Sequence, residues 1–120
     1  MSDAPKSPSV TVETSGNAVI GRVHVKMLED KDLKQLGQLI DERAGNPGVS
    51  VVVFDMSKVT ILPSLAIGVL VQILNKCRAR QQKLKLAGLP SQVRQVLTIT
   101  KIDRMIDLCD NVEDAVREAL

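Results

Sequence analysis

Alternation of apolar and polar residues organises the start of the chain. Ser9 to Thr14 (SVTVET) alternates with the period of a half-buried strand. Ser15-Gly16-Asn17 reads as a turn, and Ala18 to Val25 (AVIGRVHV) alternates again, so the two segments predict a hairpin. In the second strand Val19, Val23 and Val25 share a face with Gly21, while Arg22 and His24 point the other way. From Asp30 to about Ala44 the period lengthens. Leu33, Leu36 and Ile40 fall on one helical face, and Asp30 and Asp32 stand where a helix N-terminus favours anions. Gly45-Asn46-Pro47-Gly48 should stop that helix.

Val49 to Asp55 (VSVVVFD) is a nearly continuous β-branched run, as expected of a central strand buried on both faces. A helix is predicted from about Ser64 to Arg80, with Ala66, Val69, Leu70, Ile73, Leu74 and Cys77 as the stripe facing the sheet. Lys83 to Ala87 (KLKLA) alternates and is closed by Gly88. Pro90-Ser91 opens a third helix carrying Val93, Val96 and Leu97. Met105 to Leu108 is expected as a last short strand. Asn111 should cap a final helix with Val112, Ala115, Val116 and Ala119 inward. The order ββαβαβαβα implies an α/β domain: a mixed, mostly parallel sheet of about five strands with about four helices. Residues 1–8, with Pro5 and Pro8 among polar residues, read as a flexible tail, leaving 9–120 as one domain.

Composition narrows the function. The chain has 120 residues, room for one ordinary core. Phe54 is its only aromatic residue, so the stacking platforms of single-strand binders are missing, and a net charge of +2 is too weak a field to imply direct nucleic-acid binding. Cys77 and Cys109 are isolated, as expected of reduced packing residues in a cytoplasmic protein. No run approaches the roughly 20 apolar residues that span a bilayer, so membrane insertion is not expected. There is no phosphate-binding glycine loop, which argues against a nucleotide-binding role. The one histidine, His24, lacks metal partners, and no catalytic constellation forms around it. A non-enzyme without metal or cofactor is the expectation.

Residues 51 to 88 carry the most information. A buried strand ends at Asp55, a loop follows, and Ser64 stands at a helix entry, where serine is a preferred N-cap. Leu65 and Ile67 flank the core stripe, and Gly68 and Val71 lie opposite it, so the first turns are more apolar than the core requires. An apolar collar around a hydroxyl suits a docking surface. A phosphate there would be tolerated by the helix N-terminus yet would disturb a partner packed on Leu65 and Val71.

This segment resembles the signature of STAS domains of the bacterial anti-sigma factor antagonist family. In that signature a strand ends in Asp and an Asp-Ser-Ser-Gly motif opens a helix. Val51 to Asp55 match the strand, Val59-Thr60-Ile61-Leu62 the loop, Ser64 the phosphorylated serine, and Ile67-Gly68-Val69-Leu70 the helix. The downstream LKLAGLPSQVRQVLTITKIDRMIDL is similar almost position by position. The chain departs from the motif at Pro63, Leu65 and Ala66, where the family has Asp, Ser and Gly. The resemblance implies partner switching: an anti-sigma factor serine kinase is bound, phosphorylation at Ser64 releases it, and a serine phosphatase resets the cycle. It implies a partner-binding surface of Asp55, Ser57, Pro63, Ser64, Leu65, Ile67, Gly68 and Val71, and leaves self-association open. STAS proteins that are never phosphorylated serve as adaptors in signalling assemblies or as subunits of lipid transporters, which is the alternative reading.

Overall fold

The computed structural model describes residues 9–117. Its elements are β1 (Val10–Ser15), β2 (Ala18–Val23), α1 (Asp30–Ala44), β3 (Val51–Asp55), α2 (Ser64–Ala79), β4 (Lys83–Ala87), α3 (Ser91–Ile99), a 3-10 turn (Ile102–Arg104), β5 (Asp107–Cys109) and α4 (Val112–Arg117). The strands form one sheet in chain order, β1-β2-β3-β4-β5. Only the β1–β2 hairpin is antiparallel; β2, β3, β4 and β5 run parallel. This is the mixed α/β architecture that the alternation of elements predicts.

The period-2 pattern sorts side chains to two unequal cores. Val19, Val52, Phe54, Leu84 and Leu86 face the larger one, where Leu33, Leu36 and Ile40 of α1, Leu70, Ile73 and Leu74 of α2, and Val93 and Leu97 of α3 pack. The other face, with Ala18, Ile20, Val51, Val53 and Ala87, is met by Val112 and Ala115 of α4. Gly21 lies under the larger core. A Cβ built there would stand 3.1 Å from Leu36 Cδ1 and 3.2 Å from Phe54 Cδ1, so its lack of a side chain makes room for the one aromatic ring.

Local chemistry explains the helix ends. Asp32 accepts the Glu29 N–H at 2.9 Å, completing a reciprocal capping box at the start of α1. Asn111 Oδ1 accepts the Asp114 N–H at 2.8 Å, so the predicted cap of α4 is present. Inward placement of Ala119 and the tail at 1–8 lie outside the described residues. α2 ends in a Schellman turn: the Gln81 N–H reaches the Arg78 carbonyl and the Gln82 N–H the Cys77 carbonyl. Gln81 takes the left-handed position at φ 60°. A β-carbon there costs about 1–2 kcal/mol, partly offset by the chain entropy that glycine would lose. Gln81→Gly is therefore expected to stabilise the fold by about 0.5–1 kcal/mol in urea unfolding.

Boundaries of four strands differ from the sequence expectation. β1 runs one residue later than expected, from Val10 to Ser15 and not from Ser9 to Thr14. β2 stops at Val23, not Val25: its parallel partner β3 ends opposite Arg22, and its antiparallel partner β1 begins at Val10, opposite Val23. β3 begins at Val51, not Val49; the Val49 carbonyl is taken by the Gln82 side chain instead. β5 begins at Asp107, not Met105, because the Met105 and Ile106 N–H groups bond back to Ile102 in the 3-10 turn.

Candidate functional site

The parallel register sets Arg22 of β2 beside Asp55 of β3. Arg22 Nη1 donates to Asp55 Oδ2 at 2.9 Å, and Arg22 Nε donates to Glu13 Oε1 of β1 at 2.7 Å. The other Asp55 oxygen accepts the Ser57 N–H at 3.1 Å. Partial burial pushes the Asp55 pKa up, but hydrogen bonds from Ser57 and the Arg22 charge outweigh it and hold the carboxyl below its ordinary 3.8. A depressed folded pKa adds stability above the unfolded value and loses it as pH falls through the folded one. Asp41 behaves alike: burial opposes ionisation, but Lys76 and Arg80 win. Acidification below about pH 4 should therefore lower the melting temperature. Asp55→Asn should melt lower at neutral pH and lose less on acidification, as circular dichroism melts across pH would show.

Gly88, at φ +73°, closes this corner: a Cβ on it would stand 3.1 Å from Ser57 Cβ. The loop then runs over buried Met56, Val59 and Leu62, which pin it to the core. Its far end is tied to the segment before α1. The Thr60 and Ile61 N–H groups both reach the Lys26 carbonyl, at 2.7 and 3.0 Å, and Met27 and Ile61 form a parallel bridge.

Pro63, not Ser64, is the N-cap of α2: its carbonyl accepts the Ala66 and Ile67 N–H groups. This corrects the expectation that the serine caps the helix. The backbone is extended at Pro63, with φ −64° and ψ 157°, as proline favours, and Ser64 becomes the first helical residue with its side chain exposed. Beside it Leu65 is 57% exposed and Ile61 54%, and Met27, bridged to Ile61, is 41% exposed. The apolar collar is thus present but differently composed. Ile67 and Val71 are half-buried against the core, as is Val69, which was expected within the core stripe; Gly68 is exposed. Asp55 and Ser57 share a hydrogen bond at the start of the loop, whereas Pro63, Ser64 and Leu65 stand at its end. Met27 was missed because only its long-range bridge brings it here. From Leu65 a groove of about 470 Å³ runs between α1 and α2, past Val69 and Gly37.

Other chemistry is sparse. Among the described residues no three His, Cys, Asp or Glu side chains are grouped to hold a metal ion. Burial pushes the Cys77 thiol up to about 11, so it carries no thiolate near neutral pH. His24 is exposed, its ring within hydrogen-bond distance of Thr11 Oγ1. No described helix is long and apolar enough to cross a membrane.

Residues 10–115 match the family model of the STAS domain. The chain belongs to the STAS domain family. An anti-sigma factor antagonist from Mycobacterium paratuberculosis is 20% identical, with a TM-score of 0.78 and 97% of each chain covered. The Bacillus cell fate determinant SpoIIAA in its phosphorylated form is 13% identical, with a TM-score of 0.72 over 92% of this chain and 99% of that one. A sulfate transporter family protein from Wolinella succinogenes is 16% identical, with a TM-score of 0.74 over 95% of each. At these identities the likeness is one of fold.

Proposed function

We propose that this STAS domain is an anti-sigma factor antagonist that works by partner switching in the cytoplasm, through binding and not catalysis. Unphosphorylated, it binds an anti-sigma factor serine kinase; phosphate on Ser64 releases that partner, and a serine phosphatase restores the first state. The observation that carries this reading is an exposed hydroxyl at the first residue of α2, set among the exposed apolar side chains of Leu65, Ile61 and Met27. Contacts from Asp55, Ser57, Pro63, Ile67, Gly68 and Val71 would complete the partner surface.

The physical case rests on charge. Phosphate adds about −1.5 to −2 at neutral pH. Within the domain the group sits at a helix N-terminus, where negative charge is favourable. In a partner interface packed on Leu65 and Ile61 the same charge must be desolvated, which opposes binding. The test is binding of the anti-sigma factor kinase to Ser64→Ala and Ser64→Glu variants. Retained binding by the first and lost binding by the second support the switch.

A second reading has one observation in its favour. Pro63 replaces the acidic residue that precedes the serine in the phosphorylated signature and fixes the backbone at the residue a kinase would grip. A domain of this kind would act as an adaptor or transporter subunit whose apolar patch stays covered. The two Ser64 variants would then bind their partner alike.

A further inference from the structure

Ile61, 54% exposed, stands in the middle of the surface that carries Ser64. Met27 is bridged to it, and Ser64 and Lys58 are each three residues away along the chain, at most about 10 Å. Lys26 is closer still, since its carbonyl accepts the Ile61 N–H at 3.0 Å. A standard protein interface covers about 800 Å² on each partner, a disc of about 16 Å radius. One centred on Ile61 therefore takes in Lys26 and Lys58 as well as Leu65 and Ser64.

The domain does not neutralise those two lysines. Both are exposed, and among the described residues neither forms an ion pair. The other charges around them are matched. Arg22 meets Asp55 at 2.9 Å, Lys34 meets Asp30 at 3.1 Å, and Lys31 meets Glu29 at 3.8 Å. Asp32 is buried in the capping box, where its carboxylate accepts the Glu29 N–H. The 56–63 loop contains no acidic residue, and neither does the first turn of α2. A positive surplus on Lys26 and Lys58 thus borders an exposed apolar centre of Ile61, Leu65 and Met27.

An apolar centre with charge at its rim is the anatomy of a protein–protein interface, and the sign of the rim selects the partner. We infer that the partner face that docks over Ser64 is acidic, and that Lys26 and Lys58 are the residues that select it. This rests on the Ser64 reading and adds a kinetic part to the switch. Phosphate brings about −1.5 to −2 at neutral pH, enough to cancel the surplus of the two lysines. It then also stands as a like charge before the acidic face. Phosphorylation slows the encounter as well as weakening the complex.

The test is the association rate of the purified anti-sigma factor kinase with the full chain, by biolayer interferometry at about 20 mM and about 500 mM salt. Lys26→Gln/Lys58→Gln should associate roughly tenfold more slowly at low salt, with little change in dissociation, and should lose most of the wild-type salt dependence. Lys26→Arg/Lys58→Arg should restore both. Arg78→Gln/Lys83→Gln removes the same charge where α2 ends and β4 begins, and should associate within about twofold of wild type. All three keep the Lys26 backbone carbonyl that holds the loop, and melts check that they stay folded. Equal slowing by the two glutamine pairs, association indifferent to salt, or faster association by the lysine-to-glutamine pair, the mark of a basic partner, would overturn the inference. A kinase that fails to bind the wild-type chain ends the Ser64 reading and this inference with it. Binding that the lysine-to-glutamine pair leaves unchanged ends this inference alone.

Discussion

Phe54→Ala is expected to lower stability by about 3–5 kcal/mol, the range for truncating a fully buried aromatic side chain. Phe54 is 0% exposed on β3, the middle strand of the sheet, and packs where Gly21 and Leu36 close over it. It is the largest fully buried side chain in a core otherwise built of aliphatic residues. Collapse around the lost ring is limited, because β2 and β4 hold β3 on both sides by parallel ladders. Domains of this size are stable by about 5–15 kcal/mol, so the variant should be near its folding threshold at room temperature. With no Trp or Tyr in the chain, urea unfolding has to be followed by far-ultraviolet circular dichroism. A loss under 1 kcal/mol would mean that the ring is not the keystone of the larger core.

Ser64→Glu should have the largest effect on binding, weakening the kinase complex roughly a hundredfold or more. Like-charge contacts and desolvation of a carboxylate in an interface cost several kcal/mol, and about 2.7 kcal/mol already corresponds to a factor of a hundred. The same substitution should leave the fold intact. Ser64 is exposed and begins α2, whose first turn carries no acidic residue, so a carboxylate there gains about 0.3–1 kcal/mol from the helix dipole. A melting temperature unchanged or slightly raised, together with lost binding, separates a switch from simple damage. Ser64→Ala should bind as the wild type does.

Much of this arrangement is legible in local pattern. The helical stripe of Leu33, Leu36 and Ile40, the buried run Val51 to Phe54 and the Asn111 cap all depend on interactions a few residues apart, and the structure has them all. What local pattern misses is set by distant partners. The end of β2 follows from where β3 stops and β1 starts, and Met27 comes beside Leu65 and Ser64 only through its bridge to Ile61. Ser64 is a closer case. Serine is the better side chain for an N-cap, but proline is already extended in the way a cap requires, so the helix starts one residue later. That shift frees the hydroxyl from a capping role. The collar changes for a related reason: Ile67 and Val71 lean on the core, so exposure falls to Leu65 and to the loop residue Ile61. The Arg22–Asp55 pair is legible only once the register is known, since the two residues are far apart in sequence yet opposite each other in the sheet.

The most direct measurement is mass spectrometry of the protein purified from its own cells, reading the peptide that contains Ser64 across growth conditions. A phosphate on Ser64, present in one condition and removed in another, is the predicted result. Complete coverage of that peptide with Ser64 unmodified in every condition would contradict the switch and leave the covered-adaptor reading in its place.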